Sequence, residues 1–271
     1  MSDPPADVLN PETPWLLVFA HPGHELRAYH VVERVRPSVV VLTDGSGSTA
    51  TSRLDDTREL LLAAGARPAS TFGPLSDRAA YAALMSGDAR PFITQLNDLA
   101  DMLVSDGVGA VLVDAAEGYN PVHDVCHWMA RAAVARARQF GAPIALFEVD
   151  LVSHPDSPGE GLRVTLDEAA FRRKLDAISR YDALKAEADA AFERYGADAF
   201  RVEFLRPIGE DGPPASSWVP YYEQVGETRV RSGLYTSVLR YGSHVRPVID
   251  ALLASVEPST RHATDLRPLH E

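Results

Sequence analysis

The histidines of this 271-residue chain are concentrated at two places. Five of the nine lie in residues 21–30 and 123–127, where an even distribution would place about half a histidine. Imidazole nitrogens bind metal ions, and the single cysteine, Cys126, excludes a site built from several thiolates. The pattern predicts a metal centre made of histidine and carboxylate ligands, of a kind that suits zinc or iron.

The elements that must position these histidines alternate along the chain. Four short apolar runs each stop at a loop, as strands buried on both faces do, and a shorter candidate covers 69–72. Strands that alternate with helices predict βαβ units and an α/β fold with a parallel sheet. The four runs are 15–20, 38–43, 108–113 and 143–147, and helical spacing covers 25–35, 53–64, 91–103 and 123–140.

The histidines follow the ends of two of these strands. His21 and His24 come directly after the first strand, and His123 follows the strand at 108–113. Ligands bind at the carboxyl ends of strands in open α/β sheets. If the first and fourth strands are neighbours, we expect these three imidazoles to meet on one ion. His127 lies one helical turn after His123, as a fourth ligand or as a packing residue.

The second half of the chain has a different pattern. Residues 167–194 predict one long helix, with a break at 180–181 as an alternative, and a last helix is predicted at 244–256. We expect one domain over 1–271, in which 151–271 supply C-terminal helices and a cap that pack on a core at 1–150. The aromatic residues between 218 and 241 are expected to cover the cleft or to form an oligomer contact.

Composition narrows the classes of partner. With 26 basic and 38 acidic side chains the net charge is −12, which argues against a nucleic acid or an anionic membrane as partner. A hydrophobic content of 45% predicts a globular chain. No apolar stretch approaches the ~18 residues of a membrane span, and the chain starts with an acidic, proline-rich segment. We expect a cytoplasmic protein that binds a small-molecule substrate, and homo-oligomerisation is left open.

Residues 20–25, AHPGHE, resemble the AHPDDE signature of the PIG-L/LmbE family of metal-dependent N-deacetylases. Three further segments resemble that family's motifs in the same order. TDG at 43–45 resembles its Thr-x-Gly loop, RLDD at 53–56 its Arg-x-x-Glu helix, and NPVH at 120–123 its His-Pro-Asp-His motif. The resemblance covers about residues 14–150. It implies a Rossmann-like, three-layer α/β fold with a mostly parallel sheet and a C-terminal extension.

The resemblance also implies a ligand set. The family's zinc ligands correspond to His21, His24 and His123 here, with an imidazole in place of the family's middle carboxylate. Three neutral imidazoles leave the full charge on the ion, so bound water should be at least as acidic. Zinc is the expected cofactor, with iron as the alternative.

The proton-handling groups of the family are replaced. Its general base corresponds to Gly23, and two groups of its second motif correspond to Asn120 and Val122. Glu25, His127 and Asp124 are the candidate catalytic residues, although Glu25 could instead orient a ligand.

Other residues are candidates for substrate binding. Asn120 could donate to an oxyanion, Tyr119 could stack on a ring, and Arg53 could bind an anion. Asp44 and Asp114, at strand ends, could line the same cleft.

These residues predict a zinc-dependent hydrolase that cleaves the amide C–N bond of an N-acylated amino sugar or related small metabolite. Two alternatives stay open, because three proton-handling groups are lost while three metal-binding groups are kept. One is a repurposed metalloenzyme, with iron or another metal and non-hydrolytic chemistry. The other is a ligand-binding protein without turnover.

Overall fold

A seven-stranded, mostly parallel sheet forms the centre of the computed structural model, which describes residues 9–47 and 50–256. The ends of the expected domain, 1–8 and 257–271, lie outside the described residues. The strand order is β3-β2-β1-β4-β5-β7-β6, with β7 antiparallel to both of its neighbours. The strands are β1 (Trp15–Phe19), β2 (Ser38–Thr43), β3 (Arg67–Leu75), β4 (Ala110–Asp114), β5 (Ala145–Val149), β6 (Leu162–Thr165) and β7 (Val202–Pro207).

Helices connect the strands and cover both faces of the sheet. The α-helices are α1 (Tyr29–Val35), α2 (Leu54–Ala63), α3 (Asp77–Ser86), α4 (Arg90–Ser105), α5 (Pro121–Gln139), α6 (Glu168–Arg180), α7 (Lys185–Tyr195), α8 (Tyr221–Arg231) and α9 (Arg246–Ala254). Short 3-10 helices cover His24–Ala28, Asp182–Leu184 and Ala197–Arg201, and a π-helical turn covers Tyr241–Val245.

The core lies on both sides of the sheet because alternate residues of a strand point to opposite faces. In β1, Leu16 and Val18 belong to the apolar cluster that contains buried residues of α4, α5 and α9. Leu17 and Phe19 belong to the cluster that contains residues of α1. Cys126, on α5, is fully buried in the first cluster. The predicted three-layer α/β class is thereby confirmed.

The second half of the chain joins this core through a strand and a helix. Strand β7 pairs with β5, and α9 packs on α5. The segment predicted as one helix over 167–194 is two helices, with the break at Tyr181. Tyr181 is buried, and its hydroxyl shares its proton between two acceptors, the Arg53 carbonyl oxygen at 3.2 Å and Thr57 Oγ1 at 2.8 Å. These tertiary hydrogen bonds hold Tyr181 outside helical geometry, with φ −90° and ψ 76°.

Among the described residues, no helix combines the length and the apolarity needed to cross a bilayer.

Candidate active site

The site lies where the first and fourth strands end side by side. Strand β1 pairs in parallel with β4, with Val18 opposite Val113, so the loops after both strands meet at one edge of the sheet. Gly23 has φ +100°, a conformation that favours glycine, and the 3-10 helix begins directly after it at His24. His123 lies in the first turn of α5, which Asn120 caps by accepting a hydrogen bond from the Val122 amide at 2.9 Å.

Three imidazole rings lie together at this edge. The distances between ring centres are 5.3 Å for His21 and His24, 5.1 Å for His21 and His123, and 4.6 Å for His24 and His123. Imidazoles bound to one tetrahedral zinc ion at about 2.0–2.1 Å would have ring centres roughly 5 Å apart. The spacing of the rings therefore suits a shared divalent cation.

Two of the rings are oriented by hydrogen bonds at Nδ1. His21 Nδ1 lies 2.7 Å from Thr43 Oγ1 and 3.0 Å from Asp77 Oδ1. His24 Nδ1 lies 2.9 Å from Asp114 Oδ2, which also accepts a hydrogen bond from the Ala20 amide at 2.7 Å. A carboxylate that accepts from Nδ1 leaves Nε2 unprotonated in a neutral ring, which is how metal-binding histidines are commonly oriented.

Burial makes two of the imidazoles, those of His24 and His123, poor proton carriers. Burial, and then the charges of His21 and Arg53, lower the pKa of His24 well below its ordinary value. Burial and the two neighbouring imidazoles lower the pKa of His123 in the same way. Both rings are neutral near pH 7, so each has a lone pair available for a ligand.

The donor atoms are not yet arranged around one point. Within residues 9–47 and 50–256, no three His, Cys, Asp or Glu side chains have the geometry of a ready metal site. The rings meet edge to face, with interplanar angles of 62–84°. In type and spacing the three side chains fit a divalent cation, and closing the site requires the rings to turn.

Of the predicted catalytic residues, Glu25 points away from this cluster. Its Oε2 accepts a hydrogen bond from the Gly23 amide at 2.9 Å, and its Oε1 accepts one from the Thr57 hydroxyl at 2.7 Å. Burial raises the pKa of the fully buried Glu25 carboxyl to about 7. In this arrangement Glu25 fixes the loop that carries His21 and His24.

His127 and Asp124 are buried on the inner side of α5. His127 Nδ1 donates to the backbone oxygen of Asp114 at 3.0 Å, and its ring contacts Trp128. Burial lowers the pKa of His127 to about 4. Asp124 accepts a hydrogen bond from the Gly118 amide at 3.1 Å, and burial raises its pKa to about 7. The ring contacts among the three imidazoles do not include His127.

The predicted substrate-binding residues lie at different distances from the cluster. Asn120 Nδ2 is 3.4 Å from His21 Nε2, so the amide lies beside the three imidazoles. Tyr119 is half exposed and stacks on Tyr221 with ring centres 5.4 Å apart. Arg53 is close enough to affect the pKa of His24, and its buried Nε has no hydrogen-bond partner among the described residues.

Asp77 is a site residue that the sequence analysis missed. It is the first residue of α3, and its Oδ2 accepts a hydrogen bond from the Gly47 amide at 2.6 Å. Burial favours the neutral carboxyl, but hydrogen bonding to His21 and the charge of His21 hold the pKa of Asp77 well below its usual range. The sequence contained a signal for the helix that carries Asp77, because Ser76 caps the start of α3 and Gly87 follows its end.

A cleft of about 670 Å³ opens beside Asn120. Its walls come from α3, from the start of α5, from α8 and from the segment after α8. Much of the lining is aromatic, and five tyrosines contribute to it: Tyr81, Tyr119, Tyr221, Tyr222 and Tyr235. Arg229 is also part of the lining.

No protein-family model matches the chain, and no curated protein does. Solved structures do match the chain. The N,N'-diacetylchitobiose deacetylase of Pyrococcus horikoshii, in complex with an inhibitor, superposes with a TM-score of 0.50 at 15% identity, over 72% of this chain and 84% of that chain. The two chains share one fold.

Two further structures are similar at lower TM-scores. The zinc-inhibited form of teicoplanin deacetylase has a TM-score of 0.46 at 13% identity, over 74% of this chain and 100% of that chain. A conserved protein from Thermus thermophilus has a TM-score of 0.49 at 20% identity, over 77% of this chain and 98% of that chain. The likeness to the deacetylase of Pyrococcus horikoshii confirms the Rossmann-like fold that the PIG-L/LmbE resemblance implied.

Proposed function

We propose that the protein is a zinc-dependent hydrolase that removes an acyl group from the nitrogen of an amino sugar or a related small metabolite. The observation that carries the proposal is the cluster of three imidazoles, with ring centres 4.6–5.3 Å apart, at the carboxyl ends of β1 and β4. His21, His24 and His123 are the proposed ligands.

His21, His24 and His123 would hold the divalent cation, which would supply polarisation of an acyl carbonyl and acidification of water. The chain's own residues prepare that site. Thr43 holds the ring of His21 by a hydrogen bond, Asp77 lies at ion-pair distance from the same nitrogen, and Asp114 holds the ring of His24. Asn120 presents an amide N–H beside His21, where it could donate to the oxygen of the acyl group as negative charge develops.

Proton transfer is proposed for a carboxyl group next in sequence to a proposed ligand, because a carboxylate can accept a proton from water and return it. Glu25 follows His24 and Asp124 follows His123, but both oxygens of Glu25 already accept hydrogen bonds. Asp124 Oδ2 has no partner among the described residues. We therefore favour Asp124 over Glu25, and over His127, whose Nδ1 is held by a backbone oxygen.

The test is acetate release from a panel of N-acetylated amino sugars, measured with the zinc-loaded protein. We expect release by the wild type, and a loss of at least about a hundredfold in His21→Ala and His123→Ala. His154→Ala is the matched control, because His154 is exposed and outside the cluster. Equal release by wild type and His21→Ala across the panel would remove the proposal.

A ligand-binding protein without turnover is the second candidate. The observation that favours it is the absence of a carboxylate at Gly23, combined with the apolar side chain of Leu184 packed against that position. Elemental analysis of protein purified without added metal separates the candidates. Stoichiometric zinc supports the hydrolase, iron supports non-hydrolytic metal chemistry, and protein without metal that still binds N-acyl sugars supports a binding function.

A further inference from the structure

The cleft beside Asn120 is large enough for more than an acyl group. We call it the tyrosine cleft. Its volume of about 670 Å³ falls within the range of small-molecule sites, roughly 300–1,000 Å³. The cleft lining does not include His21, His24 or His123, but it includes Asn120, whose side-chain amide lies 3.4 Å from His21 Nε2. A ligand whose amide reaches the three imidazoles can extend past Asn120 into this cleft.

Tyr81 connects the tyrosine cleft to the imidazole cluster. Its hydroxyl donates to Asn120 Oδ1 at 3.4 Å, and the amide nitrogen of Asn120 lies 3.4 Å from His21 Nε2. Burial raises the pKa of Tyr81 to about 12, and the charges of Asp77 and Arg229 also act on its hydroxyl. The hydroxyl of Tyr81 therefore links the lining of the cleft to Asn120, which lies beside His21.

Two rings stacked on each other line the cleft. The rings of Tyr119 and Tyr221 lie 5.4 Å apart with an interplanar angle of 9°, and the residues are 49% and 53% exposed. Exposed aromatic faces bind the apolar faces of other rings, and exposed clusters of large apolar groups commonly mark binding sites. This stacked pair suits a ligand that contains a ring.

Arg229 supplies a positive charge in the same cleft. Its guanidinium donates to the hydroxyl of Tyr235 and lies 5.1 Å from the centre of that ring. No Asp or Glu among the described residues forms an ion pair with it, whereas Arg240 pairs with both Glu223 and Glu227. A guanidinium without a carboxylate partner, in a chain of net charge −12, can bind an oxyanion through paired N–H groups.

We propose that the tyrosine cleft binds the part of the ligand remote from the amide, and that this part is a ring joined to an oxyanion. The ring stacks on an outer face of the Tyr119–Tyr221 pair, and the oxyanion, a carboxylate or a phosphate, pairs with Arg229. This inference rests on the proposed function for the position of the amide, but ring and anion binding do not depend on hydrolysis.

Three probes test the inference. The neutral probe is phenyl N-acetyl-β-D-glucosaminide, and the two anionic probes carry a carboxylate or a phosphate at the para position of its phenyl ring. All three share the amide, the sugar ring and the phenyl ring, and they differ in charge. Calorimetric titration of the metal-free protein measures binding without turnover. We expect an anionic probe to bind about three- to tenfold more tightly than the neutral one, and the stronger of the two anionic probes identifies the oxyanion.

Variants assign this preference to residues. Arg229→Gln should remove the preference for the anionic probes. The matched control is Arg231→Gln, which makes the same charge change on the same helix, outside the cleft lining. Tyr221→Ala should weaken all three probes by about three- to tenfold, and Tyr221→Phe should not, because the ring face is kept.

Equal binding of neutral and anionic probes to the wild type would overturn the inference, as would a preference that survives in Arg229→Gln. A zinc-loaded protein that hydrolyses all three probes equally, with no effect of Arg229→Gln, would refute the inference alone. Anion-dependent binding with no hydrolysis would refute the proposed function alone.

Discussion

Leu184 fills the space that a side chain on Gly23 would need: a Cβ built on Gly23 would overlap Cδ1 of Leu184 and lie 3.5 Å from the ring of Tyr181. Both contacting residues belong to the segment between α6 and α7. The loop that carries His21 and His24 is thus packed against the second half of the chain at the position where the PIG-L/LmbE resemblance would place an aspartate.

Gly23→Asp is therefore expected to destabilise the protein. The left-handed backbone costs about 1–2 kcal/mol for a residue with a Cβ, and the overlap with Leu184 adds roughly 1–3 kcal/mol. The free energy of unfolding, measured by urea denaturation, should fall by the sum of both costs in Gly23→Asp. It should recover in part in the double variant, Gly23→Asp with Leu184→Ala.

Gly87→Asp is the control for this experiment. Gly87 has φ +67° with no atom within 4 Å of its Cβ position, so it reports the backbone cost alone. If Gly23→Asp costs no more than Gly87→Asp, Leu184 does not restrict the site. We expect acetate release to rise above that of the wild type only in the double variant, Gly23→Asp with Leu184→Ala.

The carboxylates that orient two imidazoles should control metal affinity. Asp114→Asn and Asp77→Asn are each expected to weaken zinc binding by about 10- to 100-fold, because the histidine rings lose their fixed tautomer and orientation. Competition with a chromogenic chelator measures this affinity. Asp101→Asn, at an exposed position of α4, is the control, and equal affinities of Asp101→Asn and Asp114→Asn would contradict the assigned role.

The buried imidazole of His127 should make folding sensitive to acid. Its pKa is about 4 in the folded protein, against about 6.5 in the unfolded chain, so the unfolded state binds more protons between these values. The neutral ring of His127 makes its full contribution to the free energy of unfolding above about pH 6.5. That contribution is lost as the pH falls towards 4, and the loss is about 2–3 kcal/mol at pH 4.5. In urea titrations at pH 7.5 and 4.5, His127→Asn should lose less stability than the wild type. Parallel losses would show that His127 does not carry the effect.

A buried ion pair anchors α6 to the sheet. Lys174 Nζ lies 2.8 Å from Glu203 Oε1, both side chains are essentially inaccessible, and Glu203 also accepts hydrogen bonds from the amides of His30 and Val31. Lys174→Met should cost about 3–5 kcal/mol in urea denaturation, because it leaves the Glu203 charge buried and unpaired.

The chain supplies a matched control. Lys185 pairs with Asp189 at the surface of α7, so Lys185→Met should cost at most about 1 kcal/mol. Similar costs for the two lysine variants would mean that the buried pair does not stabilise the fold.

The strands buried on both faces were predictable because a continuous apolar run is a local signal. Strands β1 and β2 begin where the runs at 15 and 38 begin, and β4 and β5 lie within two residues of the predicted positions. Strands β6 and β7 pair antiparallel and are only partly buried, so their sequences lack that signal.

At the site, the sequence placed His21, His24 and His123 at neighbouring strand ends, and one topological rule was enough for that. The partners of their rings were harder to predict. Asp77 reaches His21 from α3, a helix that the sequence analysis left out. The cleft depends on α8, a second helix that the sequence analysis left out. The position of Glu25 depends on Thr57, a contact between elements that no local pattern encodes.

Because Cys126 is buried, the rate at which it reacts with a thiol reagent measures how often the core opens. The thiol projects from α5 into the core cluster, and burial raises its pKa well above the ordinary value. A thiol reagent can therefore react only in molecules whose core has transiently separated. The rate of labelling at the sole cysteine reports how often the sheet and α5 separate, and a ligand that binds only the closed protein should lengthen that interval by a factor of one plus the ratio of its free concentration to its Kd.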